Sequence, residues 1–200
     1  MLTDKQLEIL AVKMKVPLER ICFKDELKEK PLKYNKFYII NSEDEIDEAT
    51  GIRNEGMHWT AFQVNKTKNG TIEPMYFDSY GFGAAEAVKK YIGGYVPYSK
   101  KDVQSLMGDM CGWYCMAWGH FINSYKDRSG SIYQDTEEFL DHFDDLNTSC
   151  DFKKNEYILK LFFQAENPTL RNDVEVLDID EITGGDTDKI RLPLPLGTFR

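Results

Sequence analysis

The chain has 200 residues, 42% of them hydrophobic and 13% aromatic, with a formal net charge of -9; this is enough for one compact domain with a full core, and too apolar for global disorder. The acidic balance argues against a nucleic-acid binder, because phosphate neutralisation needs clustered Lys and Arg, and the pairs Lys89-Lys90, Lys100-Lys101 and Lys153-Lys154 are scattered. No stretch approaches the roughly 20 apolar residues of a membrane span, and MLTDKQLEIL lacks a signal core, so the expectation is a non-secreted protein whose four Cys are reduced thiols.

In chain order, Thr3-Asp4-Lys5-Gln6 opens a helix, with Thr3 as N-cap and Gln6 reaching back. Leu7, Leu10, Ala11 and Met14 give it an apolar face, and Pro17 ends or restarts it. Phe37 to Ile40 is a short buried-strand pattern, followed by an acidic loop, NSEDEIDEATGIRNEG, read as solvated surface. MHWTAFQV and TIEPMYFD, joined by the turn chemistry of NKTKNG, predict a hairpin over residues 57 to 78, and Pro74 places its second strand at an edge or a bulge. AAEAVKKYI predicts a helix and GGYVPYSKKDVQ a return to loop and strand.

A helix is then expected over Cys111 to Ser124, with Tyr114, Ala117, Trp118 and Phe121 inward. Residues 135 to 145 predict another, carrying Phe139 and Phe143, and Asn155 is the expected cap of a last helix, EYILKLFFQ. The pattern gives one α+β domain over residues 1 to 167. Residues 168 to 200 form a weakly periodic tail, ordered only if something docks it.

Cys111 is the candidate nucleophile. A thiol attacks as its thiolate, which the unpaired N–H groups at a helix start favour, and Gly112 keeps the approach to the sulfur open. A thiol needs a base, and the chain holds three His. His120 falls on the far face of the Cys111 helix, and His142 sits in an acidic helix as a solvated surface residue. His58, at the hairpin start, is best placed. Asp78 ends the returning strand, where a cross-strand neighbour reaches His58 and can fix its tautomer. Gln104 offers an amide N–H, beside the Cys111 backbone N–H, for a developing oxyanion.

The ordered set HW, FDSYG and Q......CGWYC closely resembles the adenovirus-type maturation proteases, the adenain family of cysteine peptidases, in the same clan as the SUMO and ubiquitin-like deconjugating proteases. The likeness spans roughly residues 3 to 165, and the small, divergent form resembles the virophage and Polinton-like branch. It implies an adenain-like α+β fold, a short mixed sheet packed against helices, with the nucleophile Cys111 at the N-terminus of the central helix, His58 as base, Asp78 as orienting acid and Gln104 as oxyanion-hole residue. It implies a cysteine endopeptidase that needs no metal or cofactor and cleaves viral capsid or other structural precursor proteins after Gly-containing sites during maturation. Its expected setting is the virion and the host-cell virus factory or cytoplasm.

Trp59 either helps shape the His58 and substrate pocket or belongs to the core; Gly112 is the other substrate-side candidate. Asp78 stands where adenoviral members commonly carry Glu. Residues 79 to 103 hold no Cys, which argues against disulfide capture of an activating peptide, and the negative charge argues against activation by DNA. Two alternatives share these residues: a ubiquitin-like or SUMO-like deconjugase, and an inactive binding module that kept the fold.

Of the remaining residues, Cys22, Cys115 and Cys150 are read as structural. A zinc site of Cys111, Cys115, His120 and Cys150 lacks tight paired-ligand spacing. The segment ITGGD, Ile182 to Asp186, resembles the family's Gly-Gly cleavage pattern and suggests self-trimming between Gly185 and Asp186, against the plainer reading of a Gly turn.

Overall fold

The computed structural model describes residues 1–124, 130–147 and 151–166. The expected tail, Cys150 and the Gly185-Asp186 bond lie outside the described residues. The protein is α+β, with a four-stranded mixed sheet between helices. In chain order the elements are α1 (Asp4–Lys13), β1 (Leu18–Phe23), a 3-10 turn (Lys24–Glu29), β2 (Phe37–Asn41), β3 (Trp59–Lys66), β4 (Ile72–Phe77), α2 (Glu86–Ile92), α3 (Cys111–Ser124), α4 (Ile132–Leu140) and α5 (Phe152–Glu166).

The sheet runs β1-β2-β3-β4, with β1 parallel to β2 and the other pairs antiparallel. Strand alternation sorts its side chains into two cores. Phe37, Ile39, Ala61, Met75 and Phe77 face α3, while Tyr38, Ile40, Phe62, Val64 and Tyr76 face Val88 of α2 and Leu27 of the 3-10 turn. Because both faces are covered, the central strands β2 and β3 are almost wholly buried.

Helix α3 is apolar on nearly every side, since it lies between the sheet and the helices α1, α4 and α5. Trp118 stacks on Phe77 at 5.2 Å between ring centroids and meets Phe37 at 5.6 Å. Gly119 allows this approach: a Cβ there would stand 2.6 Å from the Phe37 ring. No helix among the described residues is long and apolar enough to cross a membrane.

The Thr3–Gln6 capping box forms as expected. So does the hairpin, whose turn places Gly70 at φ +88, and β4 with Pro74 lies at the end of the sheet order.

The fold departs from the sequence pattern in several places. Strand β1 and the 3-10 turn were not foreseen. Residues 93 to 104 make no strand, only a bridge between Tyr76 and Tyr98. Helix α4 begins at Ile132, capped by Ser131 and Gln134, and ends at Leu140; Phe143 lies past it but still meets Phe139 at 5.2 Å. Asn155 is not a cap but a buried residue inside α5: Oδ1 accepts from Asp144 N at 2.8 Å, and Nδ2 donates to Asp144 O and Val103 O. The segment before Gln104 and the segment after α4 are thereby both tied to α5.

Candidate active site

His58 precedes β3 by one residue, and its carbonyl accepts from Ser42 N at 2.9 Å, continuing the β2–β3 ladder. Asp78 follows β4 directly. Register in the hairpin pairs Ala61 with Phe77, so both residues stand at its open end. His58 Nε2 lies 2.8 Å from Asp78 Oδ1, with both side chains largely buried. Asp78 Oδ1 also accepts from Tyr80 N at 2.9 Å.

Cys111 is the first residue of α3 and is 2% exposed. Trp59 N donates to its sulfur at 3.4 Å, and one helical turn on, Cys115 Sγ donates to Trp59 O at 3.4 Å. Two thiols four residues apart therefore grip the backbone N–H and C=O of one residue of β3, which holds the start of α3 against the residue following His58. Nδ1 of His58 is buried and makes no hydrogen bond within ordinary limits of distance and angle. Burial disfavours the His58 cation, but the Asp78 hydrogen bond and the neighbouring Cys111 thiol, with the charges of both, raise its pKa to about 9. The Nε2 bond to Asp78 leaves Nδ1 as the nitrogen to exchange a proton with the thiol.

Gln104 is buried. Its backbone N–H and that of Val103 donate to Ser79 O, at 3.1 and 2.9 Å, binding this segment to the turn after Asp78. Its Oε1 accepts from Ser79 Oγ at 2.7 Å, and Nε2 donates to Gly108 O at 2.9 Å and to the Tyr80 hydroxyl at 3.3 Å. Gly81 makes the turn: it has φ +73, and a Cβ there would meet Lys100 O at 2.9 Å.

Trp59 is buried, with its indole N–H on Leu2 O at 2.9 Å. The space a side chain at Gly112 would take is bordered by Leu2 and Leu7 at 3.3 Å. Both residues thus abut the N-terminal segment.

Cys115 is fully buried and its pKa is pushed well up by burial; the thiol of Cys22 is pushed up to about 12, first by burial. His120 is held elsewhere, with Nδ1 at 2.6 Å from Met14 O and Nε2 at 3.1 Å from Glu166. His142 is not a solvated surface residue: it is half-buried against Phe121 at 6.0 Å, and burial lowers its pKa. The acidic loop is internally braced, Asn54 N donating to Glu45 O and Arg53 pairing with Glu45 at 3.2 Å.

Ser79 and Tyr80 stand in the sequence only as parts of the FDSYG motif, whereas both side chains hold Gln104. Apolar residues stand exposed beside the cluster in the chain: Met57 before His58, Phe82 after the turn, and Leu106 and Met107 between Gln104 and Cys111. The chain matches no protein-family model and no curated protein sequence.

Proposed function

We propose that this protein is a cysteine endopeptidase of the adenain type, acting on viral structural precursor proteins after Gly-containing sites. The observation that carries the reading is the His58–Asp78 bond of 2.8 Å, with Cys111 acting on the same imidazole and starting a helix. The resemblance of HW, FDSYG and Q......CGWYC supplies the substrate class. Exposed Met57, Phe82, Leu106 and Met107 suit a peptide with apolar side chains next to the scissile bond.

In this scheme the Cys111 Sγ proton passes to His58 Nδ1, and Asp78 holds Nε2 and stabilises the imidazolium. The thiolate attacks the carbonyl carbon, and the C=O electron pair moves onto oxygen. Two N–H donors are assigned to that oxyanion: the Cys111 backbone N–H, which has no intrahelical acceptor at a helix start, and Gln104 Nε2, which would exchange its bond to the Tyr80 hydroxyl for one to the oxyanion. The C–N bond breaks, the amine leaves with the proton from His58, and a thioester remains. Water, losing its proton to His58, then releases the acid and restores the thiol.

The test is incubation of a candidate structural precursor with wild type and with Cys111→Ala, read by intact mass. Cleavage after a Gly by wild type alone supports the reading. Unchanged precursor together with a Cys111 that resists iodoacetamide contradicts it.

A further inference from the structure

We propose that Tyr80 is a positioning residue of this site, holding the His58 ring by its face and the Gln104 side-chain amide by its hydroxyl. The inference rests on the peptidase reading above. Three contacts from one residue carry it. The Tyr80 and His58 rings are stacked, with centroids 4.3 Å apart and planes at 19°. The Tyr80 N–H donates to Asp78 Oδ1 at 2.9 Å, the same oxygen that meets His58 Nε2. Its hydroxyl accepts from Gln104 Nε2 at 3.3 Å. Tyr80 therefore touches the base, the acid that orients it and the candidate oxyanion donor.

Each contact has its own effect. A ring lying flat on the imidazole hinders rotation of His58 away from Asp78, and the negative face of the phenol favours the imidazolium over the neutral ring. The hydroxyl occupies the second amide proton of a buried Gln104 that would otherwise lack an acceptor. Its bond is the longer of the two from Nε2, 3.3 against 2.9 Å to Gly108 O, so it is the one an oxyanion displaces. The hydroxyl stays neutral through this: burial, then the charges of Cys111, Asp78 and Asp102, raise its pKa to about 12. The turn closed by Gly81 fixes the Tyr80 backbone, and Phe82 meets the Tyr80 ring edge-on at 6.2 Å.

The test compares wild type, Tyr80→Phe and Tyr80→Leu as full chains by NMR, following the His58 ring titration and the Gln104 side-chain amide resonances. The titratable groups acting on His58 are Asp78 and Cys111, and neither is altered. Wild type is expected to titrate near 9. Tyr80→Phe keeps the stack, so its His58 midpoint stays put while the Gln104 amide resonances move. Tyr80→Leu removes both contacts, so the midpoint falls by about half a unit and the amide resonances move as well. An unchanged His58 midpoint in Tyr80→Leu overturns the inference, as do Gln104 resonances in Tyr80→Phe that superimpose on wild type. Should Tyr80→Leu fail to fold, Tyr80→Phe alone decides through Gln104. Iodoacetamide added to the wild-type sample separates the two ideas: an unreactive Cys111 counts against the peptidase reading and leaves the comparison of the three proteins intact.

Discussion

His58 and Asp78 share a 2.8 Å contact although twenty residues separate them. The hairpin register is its cause, because pairing Ala61 with Phe77 puts the residues flanking β3 and β4 at one end of the ladder. Asp78→Asn keeps the shape and removes the charge. The His58 pKa then drops from about 9 toward the ordinary imidazole value. On the proposed peptidase reading, turnover should fall by about a hundredfold or more, since base orientation and cation stabilisation are both weakened. A pH–rate profile beside a His58 NMR titration checks both.

The raised His58 pKa also links folding to pH. Its folded value lies above the unfolded value of about 6.5, so its contribution is complete below that pH and disappears as pH rises through about 9. Wild type should therefore lose its stability advantage over His58→Ala between about pH 6.5 and 9. Thermal unfolding of both proteins across this window measures it, and parallel curves would refute the assignment.

Gly119 and Gly112 lie on the same helix and should respond differently to alanine. A Cβ at Gly119 would stand 2.6 Å from the fully buried Phe37 ring, which has no room to retreat. Gly119→Ala should destabilise by about 1–3 kcal/mol, the range for overpacked cores. At Gly112 the neighbours are the Leu2 and Leu7 side chains at 3.3 Å, a milder contact that needs only a few tenths of an ångström of adjustment. Gly112→Ala should stay within about 1 kcal/mol of wild type, helped by the better helix propensity of Ala. Urea unfolding of the two variants is the check.

Asn155→Ala removes three hydrogen bonds that tie α5 to Asp144 and Val103. The buried groups left behind should cost about 3 kcal/mol. Because Val103 adjoins Gln104, the variant should also lose turnover at temperatures where it remains folded. Activity equal to wild type in a destabilised Asn155→Ala would separate α5 from the site.

The legibility of this fold follows from where its signals sit. The α3 helix, the hairpin with its Asn-Gly turn and the Thr3–Gln6 cap are local patterns, and all three form. LERICF mixes two charges with its apolar residues, and its partner β2 is parallel and distant, so no turn announced β1. The start of α4 was legible in Ser131 and Gln134, a capping-box spacing that the stronger Phe139–Phe143 signal concealed. Asn155 looked like a cap because Asn is a cap residue, but tertiary burial gave its amide other partners. At the site, His58, Asp78, Gln104 and Cys111 stood out as residue types in a recognisable order. The hold of Tyr80 on His58 depends on a turn bringing one ring over another, which no spacing encodes.

The central claim is that Cys111 and His58 act as a pair, and iodoacetamide alkylation of Cys111 tests it without a known substrate. The rate is measured by peptide mass from pH 5 to 10 in wild type and His58→Ala. Cys111 in wild type should react at least about tenfold faster than in His58→Ala, while Cys115 stays unmodified. Equal rates for the two proteins at every pH would contradict it.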